Sequence, residues 1–271
     1  MCKVLVIGGY GFIGSHFCKL LQSKCISFDI VDLNIPTGNP DALVIHHRRK
    51  GLPRQHTLEW ARHNFYDTVV HFGSIAGVRG NLTAQEYWDN NNTCLQKYLT
   101  KLNYKKFVYI SSSSVLGNVK SPYSISKDVA EAQVAAIAKD FVIVRPFTVY
   151  GENGRPDMLI QRLLDNEEVF INGDPTSIKR RFTYVGDLVN EIFLLATRFT
   201  AHKYCNMIGE EVTMQEIINI VQKYRNGLPK LKYTDADKRD FTEYSFLKKK
   251  GINVELRTTF EEYIKKLRYI S

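Results

Sequence analysis

The amino-acid sequence predicts an α/β fold, a doubly wound parallel sheet with a small, partly intercalated C-terminal region. Two observations predict it. Over the first 150 residues, short and wholly apolar β-branched runs alternate with segments of helical periodicity. Strands without polar alternation are strands covered on both faces, which is the condition of a parallel sheet. The first such run, Val4–Ile7, then opens directly into Gly8-Gly9-Tyr10-Gly11-Phe12-Ile13-Gly14. Composition agrees. A chain of 271 residues that is 44% hydrophobic and 24% charged builds one large domain or two small ones, which excludes a disordered polymer.

The elements follow in order. Val4–Ile7 is a strand, and Ser15–Ser23 a helix with Phe17, Leu20 and Leu21 on one face. Ile26–Val31 is the second strand and Ala42–Ile45 a third. Thr68–Phe72 is a further strand, Gln85–Leu102 a helix, and Lys106–Ile110 a strand that ends in four serines. Tyr123–Ala138 is a long helix and Phe141–Val144 a strand. After Gly151 the pattern changes. Gly154-Arg155-Pro156-Asp157 is turn chemistry. Met158–Asn166 reads as a helix, Val169–Ile171 as a short strand, and Asp187–Thr197, Met214–Tyr224 and Thr259–Lys266 as helices. Ligands of such a sheet sit beyond the carboxyl ends of its strands, so chemistry is expected just after Ile7, Val31, Phe72, Ile110 and Val144.

Composition excludes several classes of function. Cys2, Cys18, Cys25, Cys94 and Cys205 form no CxxC pair and are odd in number, against a disulfide framework or a zinc site. His46, His47, His56 and His63 make no rigid i, i+4 pairing with a carboxylate, so no metal is expected. No apolar run approaches the roughly 20 residues of a membrane span. The N-terminus lacks the pattern of a signal peptide, so the expected compartment is cytoplasmic. The net charge is +9, collected in His46–Lys50, Lys179–Arg181 and Lys248–Lys250. None of these is interleaved with stacking aromatics, so no nucleic acid is expected, and an anionic small molecule suits the charge better.

The spacing Gly8-x-x-Gly11-x-x-Gly14, after a strand and opening a helix, is the Rossmann-type phosphate cradle. Glycines let the backbone turn sharply and approach a pyrophosphate, which meets the free N–H groups and positive end of the helix. Phe12 and Ile13 lie inside the cradle. Asp32 stands eighteen residues beyond Gly14, at the end of the second strand. A carboxylate there accepts from the adenosine ribose and repels a 2′-phosphate, which favours NAD over NADP. The nearby Arg48–Lys50 stretch could offset that repulsion.

Tyr123-Ser124-Ile125-Ser126-Lys127 is a Y-x-x-x-K pattern, which puts a phenol and an ammonium on one helix face. A free tyrosine titrates near pH 10, and a neighbouring cation favours the phenolate that a general base needs. Lys127 can also hold the nicotinamide ribose. A serine from Ser111–Ser114 can donate to the substrate oxygen.

Together, Gly8–Gly14, Asp32, Ser112, Tyr123, Lys127 and Val144–Gly151 resemble the extended short-chain dehydrogenase/reductases. More narrowly they resemble the NAD-dependent sugar-nucleotide epimerase/dehydratase family, over residues 1 to about 225. Val70-His71-Phe72-Gly73-Ser74 resembles its VxHxAA strand end, Asn91 its helix asparagine, and Glu131 the glutamate that follows its active lysine. Gly154–Met158 resembles a segment of uronate-sugar epimerases. Arg180–Asp187 resembles the RDFxYVxD motif, with Arg181 in place of the usual aspartate.

The resemblance implies a catalytic trio of Ser112, Tyr123 and Lys127. It implies cofactor contacts from Phe72, Gly73, Ser74, Asn91 and Phe147 besides the cradle and Asp32, and substrate contacts from Thr148 and Arg180. It implies an NAD-binding domain over 1–151, completed by about 177–206, and a mainly substrate-binding region over 152–271. It further implies a nucleotide-diphosphate sugar as substrate. A homodimer is implied too, through helices Asp89–Leu102 and Tyr123–Ala138.

Tyr123 would take the sugar hydroxyl proton as hydride moves to NAD⁺, giving a transient keto sugar. Resembling dehydratases carry an Asp-Glu pair right after the Ser/Thr, where this chain has Ser113 and Ser114. A 4-epimerase is therefore expected. A keto reductase or dehydratase of the same family is the alternative, and a non-catalytic dinucleotide sensor the alternative of another class.

Overall fold

The computed structural model describes residues 3–32, 58–77, 82–117, 120–165, 168–224, 229–235 and 251–268. The expected strand Ala42–Ile45, the basic stretches His46–Lys50 and Lys248–Lys250, and His56 lie outside them.

The main sheet has seven strands, all parallel, in the order β12-β9-β5-β4-β3-β1-β2. They are β1 (Lys3–Ile7), β2 (Ser27–Val31), β3 (Phe65–His71), β4 (Asn103–Ile110), β5 (Phe141–Pro146), β9 (Tyr204–Ile208) and β12 (Ile252–Glu255). Alternate strand residues feed two helical layers, as the pleat requires. Val4, Val6, Val70, Val108 and Val144 meet α1 (Phe12–Ser23) and α7 (Val185–Thr197) on one face. Leu5, Ile7, Val69, Phe107 and Ile143 meet α4 (Cys94–Lys101) and α5 (Pro122–Ile137) on the other. The short α2 (Leu58–Ala61) closes the edge of that second core. β2 and β3 flank β1 on opposite sides, so the chain reverses its winding at β1, where the glycine turn sits.

The C-terminal region holds its own core. It comprises β6 (Thr148–Tyr150), α6 (Leu159–Asp165), β7 (Glu168–Asn172), β8 (Lys179–Tyr184), β10 (Glu210–Thr213), α8 (Met214–Tyr224), β11 (Lys230–Thr234) and α9 (Phe260–Arg268). β8 pairs with β6 and β10, and β7 with β11. It is intercalated, since α7, β9 and β12 return to the main sheet. Asp187 ties the tail to α7: its carboxylate accepts from the Arg257 and Thr258 amides at 3.1 and 2.8 Å and from Thr258 Oγ1 at 2.9 Å.

The segment read as one helix over Gln85–Leu102 is broken. A capping box of Thr83 and Glu86 starts α3 (Ala84–Trp88), a π-helical turn follows over Asp89–Thr93, and only then does α4 begin. The wider turn carries Asn91 into the core, where its amide bonds to a loop and a helix outside its own element.

Candidate active site

β1 ends in a turn that only glycine fits. Gly8 has φ +79°, and a Cβ there would meet Gly73 N at 2.6 Å. A Cβ on Gly14 would stand 2.1 Å from Gly8 O. At Gly11 the nearest atom to a Cβ is Gly8 O at 3.4 Å, so that face is open. Gly11 is the N-cap of α1, with no side-chain cap and no acidic residue in the first turn. The amides of Phe12, Ile13 and Gly14 therefore present an uncapped positive helix end, as a pyrophosphate requires. Asp32 Oδ2 accepts from Tyr10 N at 2.8 Å, which fixes the carboxylate beside the turn. Gly8, Gly11, Phe12, Ile13, Gly14 and Asp32 thus converge as the spacing predicts.

β3 delivers the next wall. Ile7 O accepts from the amides of Phe72 and Gly73 at 2.8 and 3.1 Å, pinning that strand end to the glycine turn. The amide of Asn91 is wholly engaged, accepting from Ile75 N at 2.9 Å and donating to Ile75 O at 3.2 Å and Ser126 Oγ at 3.0 Å. In this structure it holds the loop after β3. Phe147 is buried with Val115, Leu116 and Ile208 behind the strand ends.

Ser112 lies two residues past the end of β4 and caps the 3₁₀ turn Ser113–Leu116, its Oγ accepting from Ser114 N at 3.2 Å. Ser121 and Ser124 form a capping box with Pro122 at the first position, which sets Tyr123 in the first turn of α5. Tyr123 is nearly buried and ring-packed against Tyr87 at 5.9 Å. Burial pushes its phenol up. The side-chain hydrogen bond with Ser112 and the guanidinium of Arg155 pull it back down.

Lys127 lies on the same face of α5. Its ammonium is drawn away from the phenol, donating to Ile110 O at 2.7 Å and Ser74 Oγ at 2.8 Å over the ring of Tyr109. Burial pushes it down to about 7, and Glu131 works against that. The cation acting on Tyr123 here is thus Arg155 rather than Lys127, because two buried oxygens claim the lysine. Arg155 pairs with Asp157 across the 151–158 loop. That loop is held by Gly151, where a Cβ would strike Val185 at 2.3 Å, and by His16 of α1 on Glu152 O at 2.7 Å. Arg155 sits in a motif visible in the sequence, but its proximity to Tyr123 depends on these long-range contacts.

On the substrate side, Thr148, Gly151, Gly154, Arg155, Met158 and Phe182 line a narrow cleft. Arg181 pairs with Glu211 at 3.0 Å, whereas Arg180 takes the face of β8 that Phe182 shares. Among the described residues no group of three or more His, Cys, Asp or Glu is placed to hold a metal. Nor is any helix there long and apolar enough to cross a membrane.

Fold and site define a dinucleotide-dependent enzyme of the dehydrogenase type. The chain belongs to the NAD dependent epimerase/dehydratase family, whose model matches residues 4–220. It is 28% identical to an uncharacterized UDP-glucose epimerase of Bacillus subtilis, YtcB, over 86% of this chain and 85% of that protein. It is 28% identical to the UDP-glucuronate 4-epimerase of Thermodesulfobacterium geofontis, over 73% and 70%. Among solved structures it resembles the UDP-glucuronic acid 4-epimerase from Bacillus cereus in complex with UDP-glucuronic acid and NAD. That TM-score is 0.71 at 28% identity, covering 86% of each chain. It also resembles TunA, an NAD-dependent NDP-hexosamine 5,6-dehydratase, with TM-score 0.78 at 25% identity over 98% and 96%. NAD is the cofactor of the family, and the cradle fits it.

Proposed function

We propose that this protein is an NAD-dependent 4-epimerase of a nucleotide-diphosphate sugar, with residues 152–271 forming most of the sugar-nucleotide site. The observation that supports the reading is the Ser112 hydrogen bond to Tyr123, with Lys127 on Ser74 just past the strand end that meets the glycine turn. The cofactor supplies a hydride acceptor that can return what it takes. Tyr123 accepts the proton of the C4 hydroxyl and gives it back after the keto sugar has turned over. Ser112 donates to the C4 oxygen as charge develops there. Lys127 holds the ribose side, and Asn91 keeps the loop bearing Ser74 in place. Ser113 and Ser114 offer no carboxylate for expelling water, which disfavours dehydration.

Arg155 favours a narrower substrate class, sugars with a carboxylate at C5, because it lines the substrate-side cleft with Thr148 and Gly154 and its charge acts on the Tyr123 phenol. The relatives named for UDP-glucuronate support this. Arg180 is assigned to the diphosphate. A homodimer through α5 is supported by the exposed Ile125 and Trp88.

The test is chromatography with mass spectrometry on a panel of UDP-, dTDP- and GDP-sugars, neutral and uronic, with catalytic NAD⁺. A product of unchanged mass and new retention time is expected, fastest for a uronate. Tyr123→Phe is expected to lower turnover by about 10³-fold and keep NAD binding. Loss of water would replace the reading with a dehydratase, and stoichiometric consumption of reduced cofactor with a reductase. No conversion at all would leave a dinucleotide sensor.

A further inference from the structure

Directly behind the catalytic trio lies a buried charged network that the proposed chemistry does not use. Glu131 follows Lys127 by one turn on the same face of α5. Its Oε1 accepts from Ser111 Oγ at 2.6 Å and from Arg145 Nε at 2.9 Å, and its Oε2 from Arg145 Nη2 at 2.7 Å. Arg145 and Glu131 are both nearly inaccessible to solvent. The guanidinium also reaches Asn206 Oδ1 at 3.5 Å and lies 4.9 Å from the Tyr204 ring centre.

We propose that Glu131 is a positioning residue for the reaction: locked between Arg145 and Ser111, its carboxylate keeps Lys127 cationic and fixes the strand end that carries Ser112.

The argument is one of charge balance in a dry interior. The groups facing Lys127 are His71 and Ser74 from β3 and its following loop, Tyr109 from β4, and Glu131 from α5. Arg145 of β5 reaches it through Glu131. Of these, Glu131 carries the negative charge. Its removal leaves two buried cations on neighbouring elements, and a guanidinium does not give up its proton. Lys127 would be the group to do so. The same carboxylate grips Ser111, whose amide is tied to Val144 O at 2.7 Å and whose neighbours are Ile110, the carbonyl under Lys127, and Ser112. A single side chain thus sets both the charge of Lys127 and the position of the serine. A buried pair of this kind adds little to stability over apolar residues of similar size.

This inference rests on the reading of Tyr123 and Lys127 as catalytic, so the readout is the lysine itself. The full chain is labelled with [13Cε]lysine, and Lys127 is assigned by its loss in Lys127→Met. Its titration midpoint is then followed by NMR. Glu131→Gln keeps the shape of the side chain and is expected to lower the midpoint by at least one pH unit. Glu131→Gln with Arg145→Met removes both charges and is expected to recover at least half of that fall. Arg145→Met alone leaves the carboxylate and is expected to raise the midpoint. The high-pH limb of kcat should move the same way, since Lys127 must stay protonated. An unmoved midpoint in Glu131→Gln, an equal fall in the double variant, or no rise in Arg145→Met overturns the proposal. A wild-type chain that turns over no nucleotide sugar sinks the catalytic reading, and the midpoints still decide the role of Glu131.

Discussion

His71 is a buried imidazole held against its own protonation. Its ring is buried among Tyr98, Phe107 and Tyr109, with centroids 5.4 to 6.0 Å away. Neither ring nitrogen has a hydrogen-bond partner among the described residues. Burial pushes it down to about 3, and the charge of Lys127 adds to that. The folded state therefore keeps His71 neutral where the unfolded chain protonates it, below about pH 6.5. Stability is then fully present above that pH and is lost as pH falls toward 3, by about 2 kcal/mol at pH 5. Denaturant unfolding at pH 8 and pH 5 measures this. His71→Phe should show a smaller loss than wild type by that amount, and equal losses would remove His71 from the account.

At the scale of elements, the glycine turn separates two jobs that look alike in sequence. Gly14 is needed by the fold, because α1 packs onto Gly8 with no room for a Cβ, whereas the fold leaves room for one at Gly11, where the demand for glycine is expected to come from the ligand. Gly14→Ala is expected to cost about 1–3 kcal/mol in unfolding experiments without cofactor. Gly11→Ala is expected to stay within about 0.5 kcal/mol, since φ −71° suits alanine, and to weaken NAD binding at least tenfold. Calorimetry on both variants checks this, and comparable stability losses would refute the division. The difference also marks how far the sequence could be read. β1, the turn, α1, Asp32 and the Tyr123–Lys127 face of α5 rest on local spacing and were legible. The π-helical turn at Asp89–Thr93 was not, because it answers to Asn91 bonding Ile75 and Ser126, contacts no local period encodes. Nor was the approach of Arg155 to Tyr123, which depends on Gly151 against Val185 and His16 against Glu152. Strands β6 and β8 to β12 were all missed: they are short and, at Lys179–Arg181, charged.

For the whole molecule, both faces of the main sheet are covered, yet α5 keeps an apolar stripe on its outer side. Ile125, Val129, Ala132 and Ala136 recur at steps of four, three and four residues, the spacing of a helix-packing seam. Ile125 is 49% exposed, and Trp88 of α3 is 44% exposed. The small alanines let a second helix come close, and a two-fold axis would set α5 against its own copy, so one patch serves both subunits. A homodimer built this way would also buttress the helix that carries Tyr123 and Lys127, and so would tie assembly to the proposed site. Ile125→Glu with Ala132→Glu puts two carboxylates per subunit into that seam, where desolvated like charges repel. Light scattering at micromolar concentration is expected to give twice the chain mass for wild type and a single chain for the double variant. NAD binding should survive in the variant, since neither position faces the cradle. A wild-type chain that stays monomeric would mean that the stripe is not a dimer seam.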